Sequence, residues 1–154
     1  MEIKRDLLLK RLIDLRHNGM IKVVTGMRRC GKSYLLFNLF TDALKAKGVD
    51  EENIVQINLE DRRNKSLRDP DKLLAYIDSR LKDNKMYYIL LDEVQLVNEF
   101  EDVLNSYLQV KNADVYVTGS NARFLSKDVI TEFRGRGLEI RVHPLSFSEI
   151  RGAR

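Results

Sequence analysis

The chain has 154 residues, of which 44% are hydrophobic and 32% are charged, and 27 basic against 23 acidic side chains give it a net charge of +4. This is enough apolar material for one packed core, so we expect a single domain over residues 1–154. No run of 18 apolar residues occurs and the N-terminus is charged, which excludes a membrane span or signal sequence and predicts a cytoplasmic protein without membrane contact. One cysteine excludes an internal disulfide, and two distant histidines offer no metal-ligand spacing.

Hydrophobic periodicity predicts that helices and strands alternate along the whole chain. Helical spacing of apolar residues predicts helices over residues 5–16, 32–47, 69–81 and 100–108. Short apolar runs predict strands over residues 20–25, 53–59, 86–91, 113–119 and 138–142. Strands that alternate with helices form parallel sheets covered on both faces, so we expect an α/β fold with a three-layer α/β/α sandwich.

A glycine-rich segment between the predicted strand at 20–25 and the predicted helix at 32–47 carries the clearest chemical signal. Residues 26–33 read Gly-Met-Arg-Arg-Cys-Gly-Lys-Ser and fit the phosphate-loop pattern G-x-x-x-x-G-K-[ST]. Backbone N–H groups of such a loop surround a phosphate at the positive end of the following helix. Lys32 would place its charge against the outer phosphates, and the Ser33 hydroxyl would ligate magnesium. The predicted nucleotide-binding residues are Gly26, Met27, Arg28, Arg29, Cys30, Gly31, Lys32, Ser33 and Tyr34.

Two acids follow the predicted strand at 86–91. In a phosphate-loop protein the first acid, Asp92, would hold magnesium through water, and Glu93 would polarise the attacking water. An in-built base favours hydrolysis, because small-molecule kinases take the acceptor from their substrate. The alternative is a pair of acids that only ends a strand at a surface turn.

A polar group also follows the predicted strand at 113–119. We predict that Asn121 contacts the terminal phosphate, because its amide can donate to phosphate and accept from a water. Ser120 is the second choice for this role. For Asn121 the structural alternative is a cap of the following turn.

Four motifs together resemble the AAA-type ATPase domain of a widespread prokaryotic family. They are the loop at 26–33, Leu91-Asp-Glu-Val-Gln95, Thr118-Gly-Ser-Asn-Ala122 and Arg134-Gly-Arg136, followed by Pro144-Leu-Ser-Phe147. The resemblance covers nearly the whole chain and implies a five-stranded parallel sheet of order 5-1-4-3-2. It also implies adenine as the base, and therefore ATP with Mg²⁺ as the ligand, since the loop itself reads only phosphates.

The resemblance implies partners beyond the nucleotide. Members of the family usually continue into a C-terminal region of nuclease-like or winged-helix character, so we expect a longer protein whose further region contacts DNA or protein. The position of Arg134 and Arg136 implies an arginine finger supplied to a neighbouring subunit, which would require a homo-oligomer. A solvated loop is the alternative for both arginines. At Cys30 the family usually has a small aliphatic residue instead.

Two further questions stay open at this point. ATP hydrolysis is the preferred function, with a nucleotide-dependent switch of little turnover as the alternative and a small-molecule kinase as a weaker one, because no arginine-rich lid is visible. The basic run Arg62-Arg63-Asn64-Lys65 is the best candidate for DNA contact, although a solvated charge run is the preferred interpretation.

Overall fold

Five strands form one parallel sheet in the order β2-β3-β4-β1-β5. The computed structural model describes residues 3–26, 31–120 and 136–142, with residues 3–5 described by their backbone alone. The strands are β1 (Ile21–Thr25), β2 (Ile54–Asn58), β3 (Tyr87–Asp92), β4 (Ala113–Gly119) and β5 (Gly137–Arg141). Counted from the other edge this is the order 5-1-4-3-2, so the predicted fold class is confirmed.

Helices precede or connect these strands. They are α1 (Ile3–Asp14), α2, α3 (Pro70–Arg80) and α4 (Phe100–Ser106). We use α2 for a continuous helix made of Lys32–Tyr34, a π-helical segment Leu35–Phe40 and Thr41–Ala46. Shorter 3₁₀ segments lie at Glu51–Asn53, Arg62–Arg68 and Val94–Leu96. Within the residues that the structure describes, no helix combines the length and the apolar character needed to cross a membrane.

The core consists of two apolar layers, one on each face of the sheet. One layer joins α1 and α2 to the sheet and the other joins α3 and α4 to it. Every residue of β3 is buried because both faces of this strand are covered: Ile89 and Leu91 face one layer, whereas Tyr88 and Leu90 face the other. The sandwich therefore leaves its polar groups to the two ends of the strands.

At the amino end of the strands a buried lysine is surrounded by partners. Lys22 of β1 is fully buried, and its Nζ lies 2.5 Å from Asp114 Oδ1 and 3.1 Å from Asn18 Oδ1. The other carboxylate oxygen of Asp114 accepts from the Tyr116 hydroxyl at 2.8 Å and from the His17 backbone N–H at 3.1 Å. Burial raises the pKa of Tyr116, and the charge of Asp114 adds to that effect. This cluster ties β1 to β4 and to the segment after α1.

Candidate nucleotide site

The carboxyl ends of β1, β4 and β3 meet at one edge of the sheet, because the strands are parallel and adjacent in that order. The helix that follows the phosphate-loop sequence begins there with Lys32 and Ser33. Asp92 ends β3, and Glu93 follows it directly. Pockets of doubly wound α/β proteins usually lie at this end of the strands. The carboxyl end of the strands therefore brings together residues that belong to separate motifs in the sequence.

Ser33 and Asp92 are joined directly. The Ser33 hydroxyl lies 2.8 Å from both Asp92 oxygens, so that its single proton is shared between them. Gly31 precedes the helix in the left-handed region, with φ 99°, a conformation that glycine adopts without strain. The predicted metal ligands Ser33 and Asp92 are therefore neighbours in space although 59 residues separate them.

Thr118 connects the two acids, a role that no sequence pattern had indicated. Its fully buried hydroxyl donates to Asp92 Oδ1 at 2.5 Å and accepts from the Glu93 backbone N–H at 2.9 Å. Both contacts follow from the pairing of β3 with β4, which aligns Leu91 with Val117. One side chain thus fixes the Asp92 carboxylate and the backbone of Glu93 together.

The surroundings of the buried Asp92 carboxyl act on its pKa in opposite directions. Its burial raises its pKa, while the hydrogen bonds from Thr118 and Ser33 lower it. The neighbouring charge of Glu93 raises the pKa further, and the charge of Lys32 lowers it. Burial dominates, so the ligand-free site keeps a proton on Asp92 at higher pH than a solvated aspartate would.

Glu93 is buried, and polar groups contact both of its carboxylate oxygens. Oε1 accepts from Gln95 Nε2 at 2.7 Å and from the Ser120 hydroxyl at 2.7 Å. Oε2 lies 3.5 Å from Lys32 Nζ. Ser120, the second choice for a phosphate contact, therefore contacts the predicted base in this structure. No sequence pattern had indicated a role for Gln95.

Several predicted residues cannot be placed by these contacts. Met27, Arg28, Arg29, Cys30, Asn121 and Arg134 lie outside the described residues. Tyr34, in the first turn of α2, is 48% exposed.

Arg136 lies at the opposite end of the sheet from the phosphate loop of its own chain. Its carbonyl accepts from the Ile21 backbone N–H at 2.8 Å, at the start of β1, and its side chain is exposed. The length of β1, roughly 16 Å at about 3.3 Å per residue, separates it from the loop. A role of Arg136 in its own chain's site is therefore excluded, and a role towards a neighbouring subunit stays a prediction.

The basic run at 62–65 belongs to a 3₁₀ segment after the edge strand β2. Arg62, Arg63 and Lys65 are exposed, and Arg63 Nε lies 3.5 Å from Asp61 Oδ1. Arg68 at the end of the segment instead donates through Nε to the Leu59 carbonyl at 2.9 Å. The exposed members form a small charged surface, and their contact with DNA stays a prediction.

Sheet order and site together define a phosphate-loop NTPase fold of the AAA type. The model of the family described as "AAA domain" matches residues 18–151. The chain belongs to this family.

Two relatives share the sequence over most of this chain. An uncharacterized protein of Haemophilus influenzae is 35% identical over 148 residues, which are 96% of this chain and 37% of that protein. An uncharacterized protein of Methanocaldococcus jannaschii is 34% identical over 131 residues, which are 84% of this chain and 27% of that protein. The chain thus spans about a third of the length of these relatives.

Solved structures share the fold at low sequence identity. A chain of the Drosophila ORC structure bound to DNA superposes with a TM-score of 0.61 and 8% identity, covering 93% of this chain and 93% of that chain. AMPPCP-bound DnaA from Aquifex aeolicus superposes with a TM-score of 0.53 and 15% identity, covering 87% of this chain and 43% of that chain. These similarities establish the fold.

Proposed function

We propose that this domain binds ATP with Mg²⁺ at the carboxyl end of the sheet and hydrolyses it. The observation that carries the proposal is the hydrogen-bonded chain Ser33–Asp92–Thr118–Glu93 next to Lys32. These contacts link Ser33, at the end of the phosphate-loop sequence, to the two acids that follow β3. ATP is supported as the nucleotide by membership of the AAA domain family and by the AMPPCP bound in the structurally similar DnaA.

The donor set fits magnesium. Ser33 offers a hydroxyl and Asp92 a carboxylate, both of which are hard oxygen ligands. Mg²⁺ usually takes only a few such ligands from a protein, while substrate phosphates and water complete its coordination. When bound, the ion would neutralise charge that develops on the phosphate oxygens. Asp92 would then be held as the anion, because a cation beside it favours the charged form.

The side chains of this chain divide the remaining work. Lys32, at the start of α2, would leave Glu93 and bind the outer phosphates, supported by the positive end of the helix. Glu93 would accept a proton from the attacking water, because its carboxylate lies next to the lysine that would bind the outer phosphates and is oriented by hydrogen bonds from its neighbours. Thr118 would keep the two acids in register by its two hydrogen bonds. Asn121 is proposed to contact the terminal phosphate.

The substitution Glu93→Gln tests the proposal, because it removes the base and keeps the shape. General-base catalysis contributes about 10²–10⁴-fold, so we expect turnover of Mg-ATP to fall by at least about 100-fold while ATP still binds. Glu51→Gln makes the same change on an 86% exposed side chain and should leave turnover unchanged. Unchanged turnover in Glu93→Gln would reject Glu93 as the base. ATP binding by a wild-type chain without measurable turnover would indicate the nucleotide-dependent switch instead.

The domain would serve as the ATPase module of a longer protein. This is supported by the relatives, of which the chain spans about a third. A DNA partner is suggested by the fold shared with the DNA-bound Drosophila ORC and by the exposed basic segment at 62–65. Assembly into an oligomer would bring Arg134 or Arg136 to the site of a neighbour. Cross-linking of the full-length protein with and without ATP would test that assembly.

A further inference from the structure

Two neutral hydrogen-bond donors hold one carboxylate oxygen of Glu93, Oε1. Oε1 accepts from Gln95 Nε2 and from the Ser120 hydroxyl, both at 2.7 Å. Oε2 faces Lys32 Nζ at 3.5 Å, a distance beyond that of a normal charge-assisted hydrogen bond. A ligand that attracts Lys32 therefore changes the surroundings of Oε2 and leaves those of Oε1 in place.

The backbone places Gln95 where it can reach Glu93. Glu93 adopts the left-handed region, with φ 56° and ψ 53°, which is uncommon for a residue with a Cβ. The 3₁₀ segment Val94–Leu96 follows it at once, and the buried side chains of Val94 and Val97 anchor that segment in the core. Such a tight turn returns the side chain of residue 95 to the carboxylate two positions earlier. Strained backbone of this kind often occurs at functional sites.

The Gln95 amide is oriented so that its NH₂ group donates to Glu93, which leaves its carbonyl oxygen buried without a donor among the described residues. Only the NH₂ group can donate to a carboxylate, so the contact at 2.7 Å fixes which end of the amide faces Glu93. The other end, Oε1, is buried, and no hydrogen-bond donor reaches it from the described part of the chain. Buried acceptors without donors are uncommon and call for an explanation. Support of Glu93 supplies one.

We propose that Gln95 is a positioning residue for ATP hydrolysis, an inference that rests on the function proposed above. Gln95 and Ser120 hold Oε1 of Glu93 and so fix the orientation of the carboxylate that accepts the proton. The attacking water gives its proton to the Glu93 carboxylate, its oxygen bonds to the terminal phosphorus, and the bond to the leaving oxygen of ADP breaks. The proton then passes from Glu93 to solvent, and ADP and inorganic phosphate leave.

The test is Gln95→Met, which keeps the length of the side chain and removes the donor. We expect kcat to fall by about tenfold or more, because a misplaced base loses its near-attack geometry. KM for ATP, the Kd for Mg-ATP and the melting temperature should stay within about twofold or a few degrees of wild type. Gln109→Met is the matched control, since Gln109 is exposed and precedes β4, at the opposite end of that strand from Thr118.

A second measurement separates positioning from a general structural effect. In the Glu93→Gln background, where the base is absent, Gln95→Met should cause no further loss in single-turnover rate. Wild-type turnover in Gln95→Met, or an equal loss with and without Glu93, would overturn the assignment of Gln95 while leaving ATP hydrolysis intact. No turnover by the wild-type 154-residue chain would overturn the proposed function, and the role of Gln95 with it.

Discussion

Two buried lysines lie next to carboxylates in this domain, one at each end of the sheet. Lys22 at the amino end is fully buried and contacts Asp114 at 2.5 Å and Asn18 at 3.1 Å. Its Nζ also lies 4.6 Å from the centroid of the Tyr116 ring, within reach of a cation–π interaction. Burial lowers the pKa of Lys22, and the charge and hydrogen bond of Asp114 oppose that effect. The Lys22 ammonium is thus paired at hydrogen-bond distance with groups of the fold itself.

Lys32 at the carboxyl end has a looser relation to its acid. It is 3% exposed, but its Nζ stands 3.5 Å from Glu93 Oε2, and the neighbouring Ser33 is exposed. The donors of this end converge on Asp92 and Glu93 from Ser33, Thr118, Gln95 and Ser120. The difference shows what separates a lysine that holds a fold together from one suited to bind a ligand. Closeness to an acid is common to both, and the two lysines differ in the distance from Nζ to that acid, 2.5 Å for Lys22 and 3.5 Å for Lys32.

The largest expected effect on stability comes from Lys22→Met. It removes one partner of a buried pair and leaves Asp114 charged in the core, which typically costs about 3–5 kcal/mol. Lys32→Met should cost less than half as much, because its pair is longer and lies at an end of the sheet that a ligand can enter. Urea unfolding of both variants measures the comparison. Equal losses in the free energy of unfolding would contradict the proposed difference between the two lysines. A double change that also replaces Asp114 by Asn should recover part of the stability lost in Lys22→Met.

A smaller effect is expected from Thr118→Val. The change leaves Asp92 Oδ1 and the Glu93 backbone N–H without one partner each, and an unsatisfied buried group costs about 1–3 kcal/mol. Thr41→Val is the matched control, because the buried Thr41 donates only to carbonyls of its own helix α2. We expect turnover to fall in the first variant and to persist in the second. If both variants lose equal stability and neither loses turnover, Thr118 has no special role.

The smallest effect is a pH dependence at Asp92. Burial raises its pKa in the folded, ligand-free protein, so protons compete with Mg²⁺ there at higher pH than at an ordinary aspartate. Affinity for Mg-ATP should therefore fall as the pH is lowered through that raised pKa, and below it by up to about tenfold per pH unit. The free energy of unfolding of the ligand-free protein should fall as pH rises from the ordinary aspartate pKa to that raised pKa, because over this window the unfolded state has lost the proton that the folded state still holds.

Titration calorimetry at neutral and mildly acidic pH, beside Asp92→Asn, measures this dependence. Protonation of ATP itself is common to both proteins, so the difference between their profiles isolates Asp92. The variant should bind Mg-ATP more weakly and lose the additional pH dependence. Parallel profiles would reject Asp92 as the proton competitor.

Most of the fold could be predicted from the sequence, because periodicity gives the strands and helices and their alternation gives the layers. Asp69 and Pro70 predicted the start of α3, where the Asp69 side chain accepts from the Lys72 N–H at 3.0 Å. The order of the strands came from the family resemblance, since no local pattern encodes which strands are neighbours. No helix was predicted at 62–65, and the structure forms a 3₁₀ segment there.

The sequence predicted the residues of the site that belong to motifs, but not the contacts that depend on which strands are neighbours. Lys32, Ser33, Asp92 and Glu93 belong to motifs, and their convergence follows from parallel strands. The link through Thr118 needs the neighbour relation of β3 and β4, and the contact of Gln95 needs the left-handed turn at Glu93, which no residue type signals. Lys22 passed for an ordinary residue of a buried strand because its partner Asp114 is 92 residues away.

Binding of ATP with and without Mg²⁺ to the wild-type chain, Lys32→Met and Lys22→Met tests the central claim most directly. We predict saturable, Mg²⁺-dependent binding by the wild type, a loss of affinity on the order of 100-fold in Lys32→Met, and affinity near wild type in the folded fraction of Lys22→Met. Equal affinity in Lys32→Met, or no binding by a folded wild-type chain, would contradict a nucleotide site at the carboxyl end of the sheet.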